Sequence, residues 1–245
     1  GSPPLVPRVV AALIPGMGEP AESRVERFDV RRTGRCAVRG PADAGAVREL
    51  WIVLHGYGQL ATEIATGCSV LDDGTRWIVA PEALSRFYDA RSDMDRHHQA
   101  RVGASWMTRE DRLLEIEDYV GWLQQVYESF MVRLGPATPV TVLGFSQGAA
   151  AASRWVARGT MTATHLICWG ASIAPELDLS AGAALRRARC SIVIGARDKF
   201  VGADEVLAER MRLDLTGFPY EFVGFNGGHR LDDATLTHLA TAVTP

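Results

Sequence analysis

Residues 139–155 read "PVTVLGFSQGAAAASRW". The run from Pro139 to Phe145 is apolar, rich in valine, and short enough for one buried strand. From Gln147 the text changes to Gly148 and four alanines, which start a helix. Ser146 therefore sits at a strand-to-helix junction, on a tight turn that lifts its hydroxyl above the C-terminal edge of a sheet. Gly144 and Gly148 remove side chains that would collide where the backbone doubles back. The helix start behind the serine offers unpaired N–H groups and the positive end of a dipole, a place where an oxyanion can form. A serine that merely caps a helix accounts for Ser146 but not for the glycines on both sides. The junction marks Ser146 as a candidate nucleophile.

The same alternation continues in both directions. Apolar strand segments recur at 50–56, 76–83, 165–172, 190–198 and 220–229, and helical patterns at 59–70, 108–134, 202–214 and 231–242. In 108–134, Thr108 with Asp111 resembles a capping box, and Leu113, Leu114, Ile116, Val120, Leu123 and Val126 repeat at helical spacing. Residues 24–40, "RVERFDVRRTGRCAVRG", alternate loosely about Thr33-Gly34 and read as an antiparallel hairpin. Continuous apolar strands separated by helices require a sheet covered on both faces. The expected architecture is α/β: a mainly parallel twisted sheet with an N-terminal antiparallel hairpin and helices on both faces. No linker interrupts the rhythm, so residues 1–245 count as one domain.

One segment departs from it. "SRFYDARSDMDRHHQARVGASW", residues 85–106, has neither period and mixes charge with aromatics. A structureless insert of that length in a compact domain is a lid, a binding loop or a disordered stretch; here 85–107 reads as lid-like. Tyr88, Trp106 and Met107 are its candidates for lining a substrate site, with Phe87 beside them. Arg86, Arg91, Arg96 and Arg101 interleave with Asp89, Asp93 and Asp95, which fits a solvated, self-paired face. His97 and His98 adjoin aspartates, but adjacent histidines do not readily share one ion, so no metal is expected.

Composition narrows the function classes. The 245 residues are 47% hydrophobic and 22% charged with a formal net charge of −3, so no basic surplus exists to neutralise a phosphate backbone. Nucleic-acid binding is not expected. The apolar N-terminal stretch "LVPRVVAALIPGMG" is short and broken by Pro7 and Pro15, so it does not span a bilayer. Cys36, Cys68, Cys168 and Cys190 are dispersed, without metal or disulfide spacing, which suits free thiols in a reducing, cytoplasmic setting.

A serine hydroxyl needs a base, and the base needs an orienting carboxylate. On an open parallel sheet both belong at the C-terminal ends of later strands. "CSIVIGARD" supplies Asp198 and "EFVGFNGGHR" supplies His229, in the order serine, acid, histidine. His165 precedes its strand and lies at the wrong edge, His238 falls within the last helix, and Asp178 is the one reserve acid. One oxyanion donor is the backbone N–H of Gln147; the other is that of Tyr57, on the glycine-flexed loop "LHGYGQ" at 54–59.

With "VLHGYG", "GFSQGAA", "VIGARD" and "GGH" in this order, the chain resembles the phospholipase/carboxylesterase family of the α/β-hydrolase superfamily. That family includes acyl-protein thioesterases and small carboxylesterases. The resemblance spans roughly residues 48–240. It implies a cofactor-free hydrolase with Ser146, Asp198 and His229 as catalytic triad and the Tyr57 and Gln147 amides as oxyanion hole. Its substrate would be a small-molecule ester, hydrolysed through an acyl-enzyme. Family members commonly carry H-G-x-G-D where this chain has Gln59, and the 85–106 insert departs from their short loop. Lysophospholipase or acyl-protein thioesterase activity, or a non-catalytic binding role on the same fold, remain the alternatives, as do monomer and homodimer.

Overall fold

The structure, a computed structural model, describes residues 24–89, 100–181 and 183–241. The chain divides into two units at residue 34. Residues 24–33 of the first are exposed and carry neither helix nor strand. The second contains β1 (Cys36–Arg39), β2 (Glu49–Leu54), α1 (Ala61–Gly67), β3 (Arg76–Pro81), β4 (Ser85–Asp89), β5 (Arg101–Ser105) and α2 (Arg112–Leu134). It continues with β6 (Val140–Phe145), α3 (Gln147–Arg158), β7 (His165–Trp169), β8 (Arg189–Gly195), α4 (Ala203–Leu215), β9 (Glu221–Phe225) and α5 (Asp233–Thr241).

Seven strands form one sheet in the order β1-β3-β2-β6-β7-β8-β9. Every pairing in it is parallel except β1 with β3. Every residue of β2 and β6 is buried, the signature of strands covered on both faces. Leu50, Ile52 and Leu54 face one layer, which holds α2, α3 and the buried side of α4. Trp51 and Val53 face the other, which holds α1 and α5. The strand period of two thus builds two cores from one strand.

Three local expectations shift. The 24–40 segment contributes only β1, whose partner is the distant β3, with Cys36 opposite Pro81 and Arg39 opposite Ile78. The antiparallel hairpin of the structure is instead β4–β5, inside the segment that lacked periodicity, with Ser85 opposite Ser105 and Asp89 opposite Arg101. Helix α2 begins at Arg112, after Asp111 adopts a left-handed backbone at φ 46°. Thr108 does not form a box with Asp111; its N–H and hydroxyl both donate to Glu115, at 2.5 and 3.1 Å. Leu113 and Leu114 are exposed, and Tyr119 and Phe130 complete the buried stripe with Ile116, Leu123 and Val126. No helix among the described residues is long and apolar enough to cross a membrane.

Candidate active site

Ser146 follows the last residue of β6 and precedes the first of α3, and its backbone adopts φ 54°. A non-glycine residue held there costs about 1–3 kcal/mol. Burial of Leu143, Phe145 and Trp155 on either side opposes that cost, at about 1.5–3 kcal/mol for each side chain of that size. The turn is also closed by backbone contact. A Cβ at Gly144 would lie 2.2 Å from the Gly148 carbonyl oxygen, and one at Gly148 would lie 2.4 Å from the Leu54 carbonyl oxygen. Both glycines are thus fixed by space rather than by turn conformation alone.

Asp198 and His229 meet at the same edge of the sheet. His229 Nδ1 lies 2.7 Å from Asp198 Oδ2, and the carboxylate is almost wholly buried. Its second oxygen, Oδ1, accepts the Phe200 N–H at 2.8 Å. With both oxygens engaged the carboxylate is held in one orientation, and the proton on Nδ1 leaves the Nε2 lone pair free. Gly195, at the end of β8, allows the histidine loop to approach: a Cβ there would lie 2.5 Å from the Gly227 carbonyl oxygen.

Trp169, the last residue of β7, ties the serine to the histidine loop. Its carbonyl accepts the Ser146 N–H at 2.7 Å, and its indole Nε1–H donates to the Arg230 carbonyl at 2.9 Å. Phe145, next to the serine, packs its ring 4.9 Å from the His229 ring, and Phe200 packs on that imidazole at 4.8 Å. A Cβ at Gly170 would lie 2.8 Å from His229 Cε1. Among the described residues no hydrogen bond joins the Ser146 hydroxyl to the imidazole. The "CWG" at the end of β7 carried no catalytic motif, so the anchoring role of Trp169 was not readable beforehand.

The glycine loop after β2 is equally constrained. His55 is fully buried and burial lowers its pKa, so it is neutral. Its Nε2 accepts the Ala83 N–H at 3.0 Å, which puts the ring proton on Nδ1, donated to the Gly56 carbonyl at 2.8 Å. Gln59 accepts the Gly56 N–H through Oε1 at 2.8 Å. The backbone N–H groups of Tyr57 and Gln147 have no hydrogen-bond partner among the described residues.

The residues expected to line a substrate site are distributed differently. Trp106 is buried, with its indole N–H on the His55 carbonyl at 2.8 Å and its ring against His55 and Tyr119. Met107 is partly buried, its sulfur 3.5 Å from Arg154 Nη1. Arg154 itself is buried and grips Glu176 through Nε at 2.5 Å, a hydrogen bond that pulls the Glu176 carboxyl down to about 2. Tyr88 is exposed on the hairpin. Arg86 and Arg101 pair outside the hairpin, with Glu82 at 3.7 Å and Glu63 at 2.6 Å. Arg91, Asp93, Asp95, Arg96, His97 and His98 lie outside the described residues. His165 sits at the start of β7, with Nε2 2.8 Å from the Ser191 hydroxyl, and Asp178 accepts from the N–H of Ser180 at 2.8 Å.

A cavity of about 540 Å³ opens on the α4 side. Ile192, Ile194, Val206 and Phe222 give it apolar walls, Glu205, Glu209 and Arg210 line it as well, and Phe200 is shared between it and the His229 imidazole. None of these residues was singled out in the sequence, because Ile192, Ile194 and Phe222 sit in strand runs that read as core and α4 shows no sustained apolar stripe.

The fold is that of the α/β hydrolases. A carboxylesterase from Mesorhizobium loti superposes with a TM-score of 0.62 at 18% identity, covering 86% of this chain and 94% of that one. Acyl-protein thioesterase 2 from Zea mays gives 0.61 at 16% identity, over 86% and 100%. A phospholipase/carboxylesterase from Dyadobacter fermentans gives 0.60 at 17% identity, over 88% and 98%. No protein-family model matches the sequence, and no curated protein matches it.

Proposed function

We propose that this chain is a serine hydrolase of carboxylic esters, similar to the phospholipase/carboxylesterase family. The observation that carries the reading is the Asp198–His229 pair, joined at 2.7 Å and linked through Trp169 to a serine at φ 54°. Ser146 Oγ attacks the acyl carbonyl while His229 Nε2 takes its proton, and Asp198 stabilises the resulting imidazolium. The carbonyl oxygen, now negative, lies against the N–H groups of Tyr57 and Gln147, which carry no competing bond. Collapse of the tetrahedral species breaks the ester C–O bond, and His229 returns the proton to the departing alcohol. Water then repeats the sequence on the acyl-enzyme, releasing the acid and restoring the serine.

The chemistry requires no cofactor. The cavity beside Phe200 supports an apolar substrate arm, which favours an ester with a hydrophobic chain over a small polar one. The residues from β2 to α5 act as one catalytic domain in this reading. Four free cysteines, three of them buried, fit a reducing compartment such as the cytoplasm.

The test is a fluorophosphonate probe with a Ser146→Ala control. The wild-type protein is expected to label at Ser146, and the variant to lose p-nitrophenyl butyrate hydrolysis by on the order of 10⁴-fold or more. An unlabelled wild type, or a variant with undiminished turnover, overturns the proposal.

A further inference from the structure

We infer that the exit of the β4–β5 hairpin, residues 103–107, is the strut that sets the distance between the two oxyanion donors. The Gln147 side chain acts as the positioning residue that clamps it. The inference rests on the serine-hydrolase reading and adds to it a part that the triad and its two amides do not include.

The two donors come from different strands. Tyr57 lies on the loop after β2, and Gln147 follows β6. Hydrogen bonds join the hairpin exit to both. On the Tyr57 side, Gly58 N–H donates to the Ala104 carbonyl at 2.9 Å and Ala104 N–H donates to the Gln59 carbonyl at 3.2 Å. The Trp106 indole N–H adds a third bond, to the His55 carbonyl at 2.8 Å. On the other side, Gln147 Oε1 accepts the Trp106 N–H at 3.0 Å, and its Nε2 donates to the Met107 carbonyl at 2.9 Å and to Ser105 Oγ at 3.1 Å. The Ser105 hydroxyl donates its own hydrogen bond to the Met107 carbonyl at 2.9 Å, so every polar group of the clamp has a defined role.

The contact is also close. A Cβ at Gly103 would lie 2.7 Å from the Gly58 carbonyl oxygen and 2.8 Å from Gly58 Cα. The Tyr57 loop therefore rests directly on the hairpin backbone. Trp106 is bonded on both sides, through its indole to the His55 carbonyl and through its amide to Gln147. A primary amide is needed at position 147 because the site presents a donor, Trp106 N–H, and an acceptor, Met107 O, to the same side chain. A carboxylate would face the Met107 carbonyl with no proton to give, and a thioether would bond neither.

An oxyanion donor acts only on charge that develops in the transition state, so a misplaced one lowers kcat more than it raises KM. The experiment compares wild type, Gln147→Met and Gly103→Ala on p-nitrophenyl butyrate, and measures inhibition by an alkyl trifluoromethyl ketone. That ketone forms a Ser146 hemiketal: Oγ bonds to the carbonyl carbon, His229 takes the serine proton, and the oxyanion occupies the hole. Both variants are expected to lose about 10–100-fold in kcat with KM within about threefold, and the ketone Ki to rise by the factor lost in kcat/KM.

Unchanged kcat and Ki in a folded Gln147→Met protein, with Ser146→Ala inactive, overturns the inference and leaves the hydrolase reading standing. A fall in kcat without a matching rise in Ki also overturns it, because the clamp then serves something other than the oxyanion. Activity that survives Ser146→Ala overturns both. If Gln147→Met does not fold, the near-isosteric Gln147→Glu, which keeps an acceptor for the Trp106 N–H but has no proton for the Met107 carbonyl, decides on the same criteria.

Discussion

Helices α3 and α4 each follow a residue of the proposed triad, and they are built very differently. Of the twelve residues of α3, eight are buried, among them Trp155 and Arg154, so the helix is locked between the sheet and α2. Of the thirteen residues of α4, only Leu213 is buried, and Leu207, Met211 and Leu215 face outward. Ser146, the nucleophile in the proposed reaction, immediately precedes the packed helix, where strain at φ 54° is over-determined. The cavity proposed for the substrate's apolar arm lies against the loosely packed one. In the proposed reaction, the attacking group and the substrate's apolar arm would thus be separated by packing density along one rim of the sheet.

The sharpest way to break this contrast is Gly148→Ala. Its Cβ would meet two backbone carbonyls, those of Leu54 and His55, and backbone has no rotamer with which to yield. The expected loss exceeds about 3 kcal/mol, enough to abolish folding or hydrolysis, and urea unfolding measures it. A fully stable, active variant would mean that the elbow is not closed by contact.

A smaller effect is expected from acid, and it should originate in the sheet rather than in α4. His165 is wholly buried, its Nδ1 has no partner, and burial followed by nearby Arg189 lowers its pKa to about 4. The folded value lies below the ordinary one, so the unfolded chain binds the proton first as pH falls. The contribution is intact above about pH 6.5 and is lost progressively towards about pH 4, in all roughly 3 kcal/mol. Urea titrations between pH 7 and pH 4 should show this slope, and His165→Gln should flatten it. An unaltered slope would place the acid sensitivity elsewhere.

The smallest change in stability is expected on α4. Val206→Phe fills part of the cavity from a helix with slack, and unfolding free energy should move by no more than about 0.5 kcal/mol. Ester preference should nevertheless shift towards shorter chains in a p-nitrophenyl series. Preference that stays put removes the cavity from the substrate path. Destabilisation as large as that of Gly148→Ala removes the contrast between the helices.

The alternation of β6, α3, β7 and β8 was readable because a parallel strand buried on both faces leaves a continuous apolar run. The 24–40 hairpin was misplaced for a related reason. Cys36–Arg39 pairs with β3 some forty residues away, and a loosely alternating segment beside Thr33-Gly34 carries no mark of so distant a partner. Residues 85–106 hid a hairpin because its strands are short and mix polar with apolar positions, Arg86 opposite Ala104 and Tyr88 opposite Val102. Trp106 was read as a pocket wall on its aromatic character, whereas its indole N–H and ring are used to hold His55.

By itself the sequence determined the layered α/β scheme, the position of Ser146 on a glycine-flanked junction, and the chain order of Asp198 and His229. These follow from local patterns: strand and helix periods, small residues where backbone crosses backbone, and polar residues just past apolar strands. Only the tertiary structure decided that Trp169 ties the serine to the histidine loop, that Gln147 clamps the hairpin exit, and that the cavity lies under α4. Each of these depends on which side chains meet across elements far apart in the chain, and their chemistry is ordinary until the fold brings them into contact.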